Sequence, residues 1–195
     1  MSHEGTKKSR RGMEYERRVR AMLDELGIPA RYGSDPFLPV CPEATELVSN
    51  GLDMFGREQR LAPGAAEAWA AMRDAAARDG IVLQLVSAFR TVEYQRGIIE
   101  RKIAAGIPMD EILRVSAAPG YSEHHTGCAI DITTPGSEPL EEAFEHTDAF
   151  RWLVRSAERF GFAMSYPRDN EYGIIYEPWH WALTAALHGG RRARG

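Results

Sequence analysis

Segments with helical and strand character follow one another in this chain without a regular βαβ rhythm, and that order constrains the fold more than any other sequence feature. A doubly wound parallel sheet needs the regular alternation, so an α+β fold is expected instead. Four helices read clearly. Residues 14–26 end at Gly27 and Pro29. Residues 63–79 start on Pro63, stop before Gly80, and carry an apolar stripe of Ala65, Ala68, Trp69, Met72 and Ala76. A third helix is capped by Thr91 and runs to about residue 105 before Gly106. A fourth is capped by Thr147 or Asp148, places Phe150, Leu153, Val154, Ala157 and Phe160 on one face, and stops at Gly161. Residues 81–86 (IVLQLV) and 128–132 read as strands by length and branching, with a last strand over 173–176 and a short final helix over 181–187. Residues 34–60 read as loops and short strands around the apolar patch Leu47-Val48, and the stretch from Gly106 to Ser122 as a loop.

The chain has 195 residues, a length that favours one domain and can bury a core unaided. That domain is expected over residues 13–188, between a disordered basic N-terminus (1–12) and a disordered basic tail (189–195). A net charge of −4 offers no general basic surface, so no nucleic-acid partner is expected. No apolar run is long enough to span a membrane, and no membrane partner is expected. The basic N-terminus lacks a following apolar stretch, even after Arg10-Arg11, so a cytoplasmic location is expected, or a periplasmic one if a leader has been removed. Cys41 and Cys128 have no metal or redox spacing and read as free thiols. A monomer is expected.

The chemistry concentrates in two short runs. In SEHHTGCAID, His124 and Asp131 stand either side of Gly127, which can let the chain turn. In EPWH, Glu177 precedes His180 by one short step, and Pro178 argues for a strand end or turn there. Two imidazoles and one carboxylate make a nitrogen/oxygen set suited to zinc, with a fourth position left for water. Read singly, His124 also fits a packing residue, Asp131 a strand-end cap, and His180 a core histidine beside tryptophan.

The run Ser122-Glu123-His124-His125-Thr126-Gly127-Cys128-Ala129-Ile130-Asp131 resembles the SxHxxGxAxD motif of the VanY-type D-alanyl-D-alanine carboxypeptidases. Glu177-Pro178-Trp179-His180 resembles their ExxH element, and Ser87-Ala88-Phe89-Arg90-Thr91 with Gln95 resembles their SxYRSxxxQ segment. The three occur in the family's order. The resemblance implies a small antiparallel sheet flanked by helices, the fold shared with hedgehog signalling domains. It implies Zn2+ held by His124, Asp131 and His180, Glu177 as general base, and Arg90 on the substrate carbonyl and developing oxyanion. Ser122 and Gln95 match positions lining the substrate cleft. Phe89 stands where tyrosine is common, His125 where glutamine is frequent, and Trp181-Ala182-Leu183 where an arginine usually follows the aromatic residue; these departures bear on substrate fit.

The implied activity is removal of the C-terminal D-alanine from peptidoglycan stem peptides or muropeptides. L,D-carboxypeptidase action on tetrapeptides is preferred to D,D action on pentapeptides, because trimming a recycled tetrapeptide leaves the pentapeptide needed for cross-linking intact. The alternatives are an L-alanyl-D-glutamate endopeptidase of a sister group and a non-catalytic zinc-binding module of the same fold. Glu177 and Arg90 argue against the module, since a pure binder needs neither.

Overall fold

The computed structural model describes residues 3–184, with side chains from Arg10 onward. Helix α1 (His3–Glu25) is followed by turns, by strands β1 (Val48–Leu52) and β2 (Glu58–Leu61), and by α2 (Pro63–Arg78). Next come β3 (Gln84–Ser87), α3 (Val92–Ala104), α4 (Met109–Val115) and β4 (Ala129–Thr133). The last elements are α5 (Asp148–Ser156), β5 (Phe162–Met164) and β6 (His180–Leu183). β1 and β2 form a separate antiparallel pair. The main sheet has the spatial order β3-β4-β6-β5, with every neighbour antiparallel. The fold is thus α+β with small antiparallel sheets, as expected.

Strand β4 is the pivot of the fold. All five of its residues are buried, which is what a central strand covered on both faces requires. Side chains alternate across a strand, so Ile130 and Ile132 share one face and Asp131 takes the other. On the isoleucine face, α2 contributes Trp69 and Met72 and α5 contributes Trp152 and Leu153; Phe162 of β5 and Trp181 of β6 complete the core. Emptying the Trp69 site by substitution with Ala would cost about 3–5 kcal/mol, because such a packed cluster cannot collapse into the void. The indole of Trp152 donates to Asp79 Oδ2 at 2.7 Å, which ties α5 to the end of α2. The opposite face of β4 carries Asp131, which lines a cavity.

Local signals place α2, α3 and α5 well. Pro63 lies at the start of α2, and Thr91 and Thr147 cap α3 and α5 by accepting the Tyr94 and Phe150 N–H groups. Elsewhere the structure differs from expectation. Residues 3–12, expected to be disordered, form the first turns of α1; Lys, Arg and Glu are good helix formers and no proline interrupts the run. The α5 helix ends at Ser156 and continues as a 3₁₀ turn, Ala157–Phe160, up to Gly161. Residues 109–115, expected as loop, form α4, entered from Pro108. The run 173–176 is not a strand: Asn170 turns the chain by donating to the Ile174 carbonyl, and the edge of the sheet is taken by β5 instead. Residues 180–183, in part expected as a helix, are the strand β6, because both sides of their backbone are claimed by β4 and β5. Residues 185–187 of that expected helix and the tail 189–195 lie outside the described residues.

Candidate active site

Antiparallel pairing places Asp131 of β4 directly opposite both His180 of β6 and Ser87 of β3. His124 comes from the 3₁₀ turn Glu123–Thr126 that feeds β4. Gly127 makes the connection at φ 67°, and a Cβ there would stand 2.9 Å from the Ala62 nitrogen, so only glycine serves. His124 Nε2 lies 3.2 Å from Asp131 Oδ2, and His180 Nδ1 lies 3.0 Å from Asp131 Oδ1. The two imidazoles meet edge-on with centroids 4.9 Å apart. One ligand atom from each of these three residues falls within 4.8 Å of the others.

The rear of each ring is fixed. His124 Nδ1 is 2.6 Å from the Ala88 carbonyl, which can only accept, so that nitrogen carries the proton and Nε2 offers a lone pair. His124 Nε2 is buried and has no hydrogen-bond partner. His180 Nε2 is 2.8 Å from Glu123 Oε2. Two imidazole nitrogens and a carboxylate therefore converge on one point, and an orphaned buried lone pair faces it. A divalent cation satisfies all three, so the residues fit a metal centre.

Arg90 follows β3, and its backbone is pinned to the same turn: its N–H donates to the His124 carbonyl at 3.3 Å, and its carbonyl accepts from His125 Nδ1 at 2.7 Å. The Arg90 guanidinium points inward, with Nη2 3.5 Å from Asp131 Oδ2 and Nε without a partner. His125 serves packing: its other nitrogen, Nε2, accepts from the Gly120 N–H at 3.1 Å. Cys128 packs against the apolar core on the far side of the sheet.

All seven residues singled out in the sequence line one cavity of about 450 Å³: Arg90, Gln95, Ser122, His124, Asp131, Glu177 and His180. Gln95 donates through Nε2 to the Ala117 carbonyl, leaving Oε1 buried and unpaired. A larger hollow of about 750 Å³, beside α1, is lined by none of these seven residues. Three cavity or site residues had escaped sequence reading. Lys102 donates to Ser116 Oγ at 2.7 Å on the cavity wall, Tyr166 lays its ring 5.0 Å from that of His180, and Glu123 backs His180. Glu123 stood inside the quoted motif, yet nothing local distinguishes a buried glutamate from a solvated one. Lys102 and Tyr166 carry no local signal at all.

Burial sets the electrostatics. It lowers the pKa of His124 to about 4, keeping the ring neutral, with the Arg90 charge adding to the effect. For His180 burial also opposes charge, but the Asp131 and Glu123 carboxylates outweigh it and hold the pKa up to about 10. A cation coordinated at Nδ1 would replace the proton there. Asp131 is desolvated as well, but the two imidazoles keep its carboxyl far below the usual range. Glu177 is pushed up to about 7 by burial, assisted by Asp131 and opposed by His180 and Arg90. A carboxylate titrating near neutrality beside a metal-ligand set is suited to proton transfer.

The sequence profile that describes VanY, D-alanyl-D-alanine carboxypeptidase, matches residues 58–186, well over half of the chain. The protein belongs to the VanY family. Among curated relatives of this VanY-family chain, a D-alanyl-D-alanine carboxypeptidase of Enterococcus faecalis (strain ATCC 700802 / V583) is 34% identical over 133 residues, covering 60% of this chain and 48% of that protein. The chain spans about half the length of the curated relatives it matches. Among solved structures, the LdcB LD-carboxypeptidase is 31% identical with a TM-score of 0.67, covering 77% of this chain and 75% of that one. The vancomycin-resistance D,D-pentapeptidase VanY from a VanB-type cassette, solved with Zn(II), is 28% identical with a TM-score of 0.58, covering 78% and 91%. The fold is thereby the hedgehog-like zinc peptidase fold of VanY and LdcB.

Proposed function

We propose that the protein is a zinc carboxypeptidase that removes the C-terminal D-alanine from peptidoglycan stem peptides. The observation that carries this reading is the convergence of His124, Asp131 and His180 within 4.8 Å, in a cavity that also holds Glu177 and Arg90. These three residues would hold the cation, which when bound supplies Lewis acidity and makes water more acidic near neutral pH.

The chain's own groups do the rest. Glu177, ionised, takes the proton of the attacking water as its oxygen adds to the scissile carbonyl carbon. Arg90 donates to the oxygen on which negative charge develops. The C–N bond then breaks, and Glu177 returns the proton to the leaving amine. The products are free D-alanine and a shortened peptide ending in a carboxylate. Ser122 and the free Oε1 of Gln95 line the cleft and orient the peptide.

Tetrapeptide, and hence L,D specificity, is the preferred substrate reading. The LD-carboxypeptidase LdcB is among the structures this chain resembles, which supports it. Glu177 and Arg90 within one cavity favour an enzyme over a binding module. The test is mass spectrometry of products from defined tetra- and pentapeptides, with zinc-loaded and chelator-treated protein. D-alanine release from the tetrapeptide by the zinc form alone is expected. Cleavage between L-alanine and D-glutamate would overturn the assignment.

A further inference from the structure

Glu123 takes no part in the proposed hydrolysis, yet it is one of the few buried carboxylates among the described residues. Its Oε2 accepts the Ser165 hydroxyl at 2.6 Å and stands 2.8 Å from His180 Nε2. Ser165 directly follows β5, so the side chain spans from the turn that carries His124 to the edge of the sheet. We propose that the Glu123–Ser165 pair is a positioning device for the metal centre, holding His180 in the tautomer and ring orientation that aim its Nδ1 at the cation.

A carboxylate has no hydrogen to offer, so the His180 nitrogen facing Glu123 carries the proton. The other nitrogen, Nδ1, stands 3.0 Å from Asp131 Oδ1, so it is the one that would give up its proton and offer a lone pair when a cation binds. The Ser165 hydroxyl occupies Glu123 Oε2 from a second direction and limits rotation of the carboxylate. His124 is held in the matching way, by a neutral carbonyl: Ala88 fixes its Nδ1 and leaves Nε2 for the centre. Each imidazole of the site is thus fixed from behind, one by a backbone group and one by a charged side chain. A carboxylate behind a ligand histidine also raises the basicity of the ring, an advantage no carbonyl matches. Without Glu123 the buried ring of His180 would have no acceptor at Nε2 and could settle with either nitrogen protonated.

This inference rests on the reading of His124, Asp131 and His180 as a metal centre, and its test separates the two. Zinc affinity is measured on the full chain by competition with a chromogenic chelator, alongside circular dichroism and the Tm of the metal-free protein. Glu123→Ala is expected to weaken zinc binding by about 10- to 100-fold. Glu123→Gln, of the same size but a weaker acceptor, is expected to weaken it several-fold less than Ala does, and Ser165→Ala to weaken it measurably while leaving the carboxylate in place. The visible spectrum of the cobalt-substituted protein is expected to change in the same order, because it reports ligand geometry. A merely structural role would lower the Tm of the metal-free protein and leave zinc affinity and the cobalt spectrum unmoved. If Glu123→Ala fails to fold, the Gln and Ser165 variants decide. Folded variants that all bind zinc within twofold of the wild type would overturn the proposal alone, whereas a wild-type protein that binds no zinc would overturn the metal-centre reading with it.

Discussion

His180 stands directly across the sheet from Asp131, with its Nδ1 3.0 Å from Asp131 Oδ1. The register of β4 against β6 therefore sets the spacing of two proposed ligands, and a one-residue slip would turn Asp131 into the apolar core. Metal content should follow from this pair. The wild type is expected to carry about one zinc per chain by elemental analysis, and His180→Ala, Asp131→Ala and His124→Ala each to lower occupancy. Full zinc retention in His180→Ala would refute the assignment.

Glu177 should govern the acid side of the pH profile. It must be ionised to take a proton, so activity is lost as pH falls through its pKa. That pKa is pushed up to about 7 by burial with the help of Asp131, and a neighbouring cation favours the ionised form and draws it down. The expected result is kcat/KM rising with pH, with the midpoint of the rise at or below about pH 7 and a plateau above it. Glu177→Gln should retain zinc, lose about 10²- to 10⁴-fold in turnover, and lose the acid limb. Loss of zinc in this variant would make Glu177 a ligand instead.

Arg90 should act on the transition state. Its guanidinium reaches inward to Asp131 and keeps Nε unpaired in the cavity. Arg90→Ala is expected to lower kcat by about 100-fold or more, roughly 3 kcal/mol, with a smaller change in KM. Arg90→Lys should recover little, since a point charge lacks the planar fork. A raised KM with unchanged kcat would assign Arg90 to the terminal carboxylate of the peptide.

His125 should matter for stability and not for the metal. Its ring joins the Arg90 carbonyl to the Gly120 N–H, so removing it breaks a link between two segments of the fold. His125→Ala should cost about 1–3 kcal/mol and lower Tm by roughly 2–12 °C, with zinc content unchanged. A zinc deficit matching that of His124→Ala would show that His125 serves the centre directly.

Cys128 should be dispensable for chemistry. It packs on the core side of β4, and burial pushes its thiol pKa up, away from a reactive thiolate. Cys128→Ala should keep near-normal kcat/KM. A loss of several hundred-fold with the fold intact by circular dichroism would reveal a thiol role.

The features readable in the sequence are those made by a few neighbouring residues. Thr91 and Thr147 cap helices through hydrogen bonds spanning three residues, and Pro63 starts α2 through its own ring. The three motifs place seven candidate residues because their spacing is itself the information, and those seven meet in one cavity. What the sequence alone did not decide depends on partners far along the chain. The run His180–Leu183 has the same apolar character in a helix or a strand; β4 and β5 make it a strand by taking both of its backbone edges. The stretch 173–176 is branched and apolar enough for a strand, but no neighbouring ladder receives it. Glu123 joins the candidate site only because folding brings His180, 57 residues away, and Ser165, 42 residues away, against it. Burial and long-range pairing are properties of the packed chain, so the candidate ligand residues could be named from their motifs while the groups packed behind them could not.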